Sequence, residues 1–271
     1  MPARQLEIRR DDACVCCGAA LAAGTAAWWD PEARTVTCAT CQDSPDRSSI
    51  PAQGPLQLGD PGASLVREYE RRKRYREQRT REAHPRIGGL LLALRSAPQH
   101  ESAFHQGAVA ERAVADSLAI RTDSDRVITP HNRRMPSGRG DIDHLAIAPT
   151  GVWVIDTKDW NGKVDIRSPW LGESRLLIGG RDCTKLIDGL ERQIAAVRAA
   201  LDGSGYDEMK VQGALCFTKA DPPFLRTQTL RGHLLLYRRA LAKRLNADGP
   251  VSSVSIEQLG RHLGTLLPPA R

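Results

Sequence analysis

Two aspartates and a lysine, Asp143, Asp156 and Lys158, are the residues of this 271-residue chain best placed by type and spacing to do chemistry. They lie in Arg139-Gly-Asp-Ile-Asp-His-Leu-Ala-Ile-Ala-Pro-Thr-Gly-Val-Trp-Val-Ile-Asp-Thr-Lys158. Ile142 to Ile147 and Val152 to Lys158 read as adjacent strands, with Pro149-Thr-Gly151 as turn chemistry. Pro149 excludes the positive φ of a two-residue type I′ turn, so a four-residue loop, Ala148 to Gly151, is expected. That loop pairs Ile147 with Val152 and, counting back, sets Asp143 opposite Asp156. Side chains alternate along a strand, so Asp156 and Lys158 share a face about 6.6 Å apart.

Opposed carboxylates with Cβ atoms roughly 5 Å apart repel when both are ionised. A hard divalent cation relieves that repulsion, and Mg²⁺ takes one or two carboxylates plus water. A cation there makes water a better nucleophile toward phosphorus, and an ammonium beside it stabilises developing negative charge. The chemistry these residues could do is therefore phosphodiester hydrolysis. The competing account is a strand-end salt bridge, Lys158 with Asp156 or Asp143.

A helix from about Gly107 to Ile120 carries a third acid. Glu111 lies three residues before Val114 and seven before Leu118, on the buried face. A carboxylate there costs several kcal/mol unless it is paired or bound to a cation. A position in the first turn, where the helix dipole favours an acid, is the other account. Further on, Lys185 to Leu201 is amphipathic, with Leu186, Leu190, Ile194, Val197 and Leu201 in one stripe and Gln193 at its edge. Lys163 to Ile166, Ser174 to Ile178 and Lys210 to Phe217 read as strands. Leu234 to Leu245 and Ile256 to Leu267 close the chain, helical in part.

The amino-terminal part has a different chemistry. Five of the seven cysteines fall between Cys14 and Cys41. Cys14 and Cys17, then Cys38 and Cys41, form two C-x2-C knuckles about twenty residues apart, the spacing of a zinc ribbon in a reducing compartment. Cys16 leaves the ligand choice in the first knuckle open. Residues 42–63, rich in Pro, Gly, Ser and Asp, read as a linker. A polar helix follows from about Ala63 to His84. Nine basic residues stand against four acidic ones between Arg67 and Arg86, most of the chain's formal net charge of +7. Arg72 and Lys73 on this helix, and Arg133, Arg134 and Arg139 in a basic loop before the acids, are the expected phosphate contacts. A solvated helix with Glu–Arg pairs is the plainer reading of the first group. Arg126 to His131 is a further strand expectation.

No signal peptide or bilayer-length apolar run is visible, so a cytoplasmic protein without a membrane partner is expected. The domain reading is 1–50 zinc ribbon, 51–100 linker and basic helix, and 101–271 an α/β domain. Cys183 and Cys216 receive no role.

Gly140-Asp-Ile-Asp-His144, Gly151-Val-Trp-Val-Ile-Asp-Thr-Lys158 and Trp160-Asn-Gly162 together resemble the nuclease-related domain, NERD, a family assigned to the PD-(D/E)xK superfamily. The resemblance covers roughly residues 103 to 220, and the order of zinc ribbon, basic helix and NERD domain is similar to that of some actinobacterial members. It implies a restriction-endonuclease-like core, a mixed central sheet flanked by helices. It also implies a Mg²⁺- or Mn²⁺-dependent nuclease acting on DNA, beside a structural Zn²⁺. By the same resemblance Asp143 is the lone acid of the second motif, Asp156-Thr157-Lys158 is (D/E)-x-K, and Glu111 is the acid of the first-motif helix. Ala110 stands where the family usually has Gly. Thr157 would lend its carbonyl to the metal, Gln193 would reach the site, and Asp141 would hold the loop or His144. The alternative is a non-catalytic module that binds nucleic acid or protein through a vestigial site.

Overall fold

The computed structural model describes residues 4–9, 12–14, 20–31, 35–42, 56–94, 99–136, 140–170, 172–219 and 227–270. Cys16, Cys17 and Arg139 lie outside these residues. The chain divides into two compact units, Met1–Leu56 and Gln57–Arg271.

In the smaller unit, β1 (Arg4–Glu7), β4 (Ala26–Asp30) and β5 (Thr35–Cys38) form an antiparallel sheet, and β2 (Asp12–Ala13) pairs with β3 (Ala20–Leu21). Helix α1 (Ala39–Gln42) follows β5 directly. Among the described residues, Ile8, Cys14, Leu21, Ala27 and Val36 make its buried apolar core. A unit of this length rarely buries enough surface by itself, which is why folds of this size recruit a metal.

The larger unit is a mixed α/β fold around a six-stranded sheet. Its helices α2 (Ala63–Ala83), α3 (Gly88–Leu94) and α4 (Gln99–Arg121) come first. Strands β6 (His131–Arg134), β7 (Asp141–Ala148) and β8 (Gly151–Lys158) follow. A small sheet of β9 (Val164–Arg167), β10 (Arg175–Ile178) and β11 (Arg181–Asp182) then leads into α5 (Lys185–Leu201). Next come β12 (Val211–Phe217), β13 (Gln228–Leu230), β14 (His233–Tyr237), α6 (Arg238–Leu245) and α7 (Ser253–Leu266). The sheet order is β13-β14-β12-β8-β7-β6. β8, β12 and β14 run parallel, while β6, β7 and β13 pair antiparallel with their neighbours.

Both sheet faces are covered, so β8 reads as an almost unbroken apolar run. On one face Leu145, Ile147, Val152 and Val154 pack against Ile187, Leu190, Ile194 and Val197 of α5 and Leu259 and Leu263 of α7. On the other, Ala146, Trp153 and Ile155 pack against Val114 and Leu118 of α4 and Leu241 and Leu245 of α6. The amphipathic stripe of α5 is where the spacing placed it, with Leu186 only partly buried.

Two expectations are corrected. The strand after α4 is His131–Arg134, inside the stretch read as a basic loop; upstream, Ile128 makes a single bridge to Ile147. A strand there is tolerated because Arg133 is fully buried, its guanidinium donating to the carbonyls of Leu267, Gln57 and Gly264. The β7–β8 turn has two residues rather than four: Ala148 pairs with Gly151 around Pro149-Thr150. Gly151 takes φ +116, and a Cβ there would come within 2.5 Å of the Lys210 carbonyl oxygen, so only glycine closes this turn.

Candidate active site

β7 and β8 deliver their acids at the end of the sheet away from that turn. Their ladder runs from Ala148–Gly151 to His144–Ile155, and continuing the register by one residue sets Asp143 against Asp156. The backbone pairing stops there. Instead of a ladder bond, the amide of Thr157 donates to Asp143 Oδ2 at 2.7 Å. Across the other edge of β7, the β6 register skips the residue opposite Asp143, and Asn132 there takes φ +50. The sheet therefore opens locally around Asp143.

Lys158 Nζ donates to Asp156 Oδ1 at 2.6 Å, with both side chains largely buried. The salt bridge weighed for this pair is thus present. It accounts for one carboxylate of three. Glu111, buried on α4, receives the backbone N–H of Gly62 at Oε2, 2.9 Å away. Asp143 has the Thr157 amide. Burial pushes the Glu111 carboxyl up to about 7, opposed by the Gly62 amide and reinforced by the charge of Asp156. Burial pushes Asp143 well above the carboxylate range, and the charges of Glu111 and Asp156 add to it. Burial alone would lower the Lys158 ammonium, but Asp156, Asp143 and Glu111 outweigh that and raise it. One ammonium faces three acids, so Glu111 and Asp143 favour their protonated forms, and a divalent cation would let them ionise.

Gln193 on α5 is buried rather than at the edge of its stripe. Its Nε2 reaches the Asp141 carbonyl at 3.4 Å, and its Oε1 has no hydrogen-bond partner. A buried amide oxygen left without a donor is costly, and a water or a bound group would satisfy it. The donor set thus fits a hard cation: two acids on adjacent strands in the field of Glu111, and an orphaned amide oxygen on α5.

Behind the acids stands a pair of imidazoles, His144 buried and His131 half-buried, that the sequence pattern did not single out. His144 Nε2 meets Thr157 Oγ1 at 3.0 Å, and His144 Nδ1 meets His131 Nδ1 at 2.8 Å. Burial holds both rings neutral, lowering His131 to about 4 and His144 well below its usual range. One Nδ1 therefore carries the proton and the other accepts it. His144 is held by His131 and Thr157, not by Asp141, whose contribution is its carbonyl to Gln193.

Gly62 is the other residue the sequence pattern missed, because it lies in the stretch read as linker. Residues 57–62 form a strap along β6: the Leu58 carbonyl accepts from His131 N at 2.6 Å, and Gly62 ends the strap on Glu111. Gly62 takes φ +74, and a Cβ would sit 2.8 Å from the backbone of Ala108. The turn residues Asp60-Pro-Gly62 were the only signal available in the chain.

The expected phosphate contacts divide. Arg134 and Lys73 are exposed. Arg133 is a correction: it is enclosed and committed to three carbonyls, so it pins the carboxyl-terminal segment instead of facing a ligand. Arg72 is paired with Glu68 and lies over the Phe104 ring, 4.6 Å from its centroid. Its helix packs along α4, with Arg76 bound to the buried Glu101.

In the smaller unit, the sulfurs of Cys14, Cys38 and Cys41 all lie within 4.8 Å of one another. The Cys38 amide donates to Cys14 Sγ and the Cys41 amide to Cys38 Sγ. Tetrahedral zinc, about 2.3 Å from each sulfur, fits such a cluster. Among the described residues this is the only set of three metal-type donors that draws so close.

Residues 106–218 match the family described as NERD, nuclease-related domain. The matched stretch runs from within α4 to just past β12 and contains Glu111, Asp143, Asp156, Lys158 and Gln193. No curated protein matches the chain, and no solved structure does.

Proposed function

We propose that the larger unit is a metal-dependent nuclease that hydrolyses phosphodiester bonds, with DNA as its substrate. The observation that carries this is the buried cluster of three acids around the single Lys158 ammonium, whose burial and mutual repulsion hold back an ionisation that a divalent cation would allow.

Asp143 and Asp156 would hold Mg²⁺ or Mn²⁺ together with the Thr157 carbonyl. The ion supplies Lewis acidity and a more acidic water. Lys158, kept protonated by its acidic neighbours, stabilises charge developing on the phosphoryl oxygens. Glu111, with its carboxyl near 7, accepts a proton from the attacking water at working pH. Gln193 Oε1 accepts a hydrogen bond from that water and orients it. His144 fixes Thr157, whose amide in turn holds Asp143 in place. The thiols of Cys14, Cys38 and Cys41, with Cys17, would bind a structural Zn²⁺.

The purified chain with Mg²⁺ or Mn²⁺ is expected to cut DNA. Asp156→Ala is expected to stop cutting and Lys158→Ala to slow it about 10²- to 10³-fold, both leaving the circular dichroism spectrum intact. Cutting at the wild-type rate by both variants ends this mechanism. One observation favours the alternative, a non-catalytic binding module: Lys158 already neutralises Asp156 without a metal. Calorimetric titration with Mn²⁺ separates the two, since a vestigial site gives no heat of binding at the carboxylates.

A further inference from the structure

The hairpin of β9 and β10 carries three features that core packing does not explain. Trp170 at its tip is 99% exposed. An indole left wholly in water forgoes one of the largest burial gains any side chain offers. Arg167 and Arg175 are direct cross-strand partners. Val164, Leu176 and Ile178 of the same strands turn into the core, so by alternation both guanidinium groups lie on the outward face. Like charges placed directly opposite each other destabilise a sheet. Arg175 is only loosely paired, with Asp182 at 3.7 Å, and Arg167 has no acidic partner among the described residues.

The third feature is rigidity. The hydroxyls of Ser168 and Ser174 meet at 2.8 Å across the base of the loop. Glu173 on the returning arm binds Arg231 at 3.0 Å, and Arg231 also binds Asp188 of α5 at 2.8 Å. The other acids of the hairpin are engaged too, Asp165 by Lys163 and Asp182 by Thr184 and Arg175. Trp170 is thus presented on a fastened hairpin whose strands carry Arg167, without an acidic partner among the described residues, and Arg175, only loosely paired. The hairpin is also joined at both ends to elements of the acidic cluster: β8, which bears Lys158, precedes it, and α5, which bears Gln193, follows.

We infer that this hairpin is a binding site for single-stranded nucleic acid, in which an unpaired base stacks on Trp170 and the adjoining phosphate is held between Arg167 and Arg175. A planar indole offers a face to any base, and two opposed guanidinium groups become favourable once a phosphate lies between them. Stacking requires a base outside a duplex, so the substrate class narrows to nucleic acid with an unpaired stretch. This rests on the nuclease reading for the larger unit and specifies how its substrate is gripped.

Binding is measured on the full chain, in buffer without added divalent cation, by fluorescence anisotropy of a labelled 20-residue oligo-dT and of a 20-base-pair duplex. The wild-type chain is expected to prefer oligo-dT. Trp170→Ala is expected to weaken oligo-dT binding about tenfold, the scale of one lost base stack. Trp170→Phe is expected to keep most of the affinity, and tryptophan quenching on binding should fall in that variant. Arg167→Ala is expected to flatten the dependence of log K on log salt by about 0.7, one single-strand phosphate contact. Trp170 and Arg167 are exposed, so Trp170→Ala leaves melting unchanged and Arg167→Ala does not lower it. Oligo-dT affinity that is the same in wild type, Trp170→Ala and Arg167→Ala overturns the inference while the nuclease reading stands if the chain still cuts. A chain that neither binds nor cuts any nucleic acid overturns both. A Trp170→Ala effect on oligomeric state alone, without one on oligo-dT, assigns the tip to a protein contact and overturns the inference.

Discussion

The two metal-type clusters of this chain are built in opposite ways. In the smaller unit Cys14, Cys38 and Cys41 already bring three sulfurs within 4.8 Å, and the Cys38 and Cys41 amides point at sulfur. In the larger unit each acid leans on a different neighbour: Asp156 on Lys158, Asp143 on the Thr157 amide, Glu111 on the Gly62 amide. The first arrangement suits a permanent, closed site whose ion replaces a missing core. The second spreads its acids over β7, β8 and α4, and relief of their burial and mutual repulsion would favour taking up an ion. A structural site stores its metal energy in folding; a working site leaves it available for ligand exchange.

Removing metal from each cluster gives the largest contrast. Chelation of zinc, or Cys38→Ala, should unfold the smaller unit, since structural zinc contributes on the order of 10 kcal/mol to folds of this kind. Magnesium-dependent cutting by the larger unit should survive the same treatment once Mg²⁺ is restored. Limited proteolysis confined to residues 1–56 checks the first part. Loss of cutting after zinc removal would break the separation drawn between the clusters.

Next in size is the lysine. Lys158→Ala should lower the cleavage rate about 10²- to 10³-fold, the usual cost of one preorganised charge at a reacting centre. The affinity for Mn²⁺ should change less, because the carboxylates remain. Single-turnover kinetics at saturating metal, alongside calorimetry, separate the two effects.

Glu111 gives a pH dependence. Its folded carboxyl titrates near 7 against 4.5 in the unfolded chain. The protonated form's stability is therefore complete below about 4.5 and is lost as pH rises through 7. In the metal-free chain that loss is on the order of 3 kcal/mol. The neutral imidazoles of His131 and His144 act in the opposite direction, costing stability as pH falls through 6.5. Urea unfolding at pH 5 and pH 8 should show the Glu111 contribution in wild type and not in Glu111→Gln, and Mg²⁺ should stabilise wild type more at pH 8. Equal pH dependence in both proteins would mean that Glu111 is not held as described.

The smallest effect concerns the strap. Gly62→Ala adds a Cβ at positive φ against the Ala108 backbone and should cost about 1–2 kcal/mol in unfolding experiments. It should also lower the cleavage rate at saturating metal, because the strap carries the amide that holds Glu111. A stability loss with no change in rate would assign the strap to packing alone.

Much of this was legible from local pattern. The stripe of α5, the run of β8 and the Cys14/Cys38/Cys41 spacing depend on periods and turns written within a few residues. Asp143 could be set against Asp156 because a hairpin counts outward from its own turn, and the two-residue turn found has the same register as the four-residue one expected. Arg133 was misplaced for a related reason. Among Arg, Pro and Gly neighbours it reads as solvent-facing, and only carbonyls at residues 57, 264 and 267 make its burial affordable.

The sequence by itself thus determined the kinds of donor, thiols at one end and acids with a lysine in the middle, and the strand pairing that opposes two of the acids. Tertiary structure alone decided how those groups are charged and held. Packing α4 beside the sheet brings Glu111 into the field of Asp143 and Asp156, the strap from residue 57 places Gly62 on Glu111, and β6 stacks His131 behind His144. Each of these depends on burial and on contacts between residues tens of positions apart. The shift of an acid's proton affinity is set by what surrounds it in space, and no spacing along the chain records that.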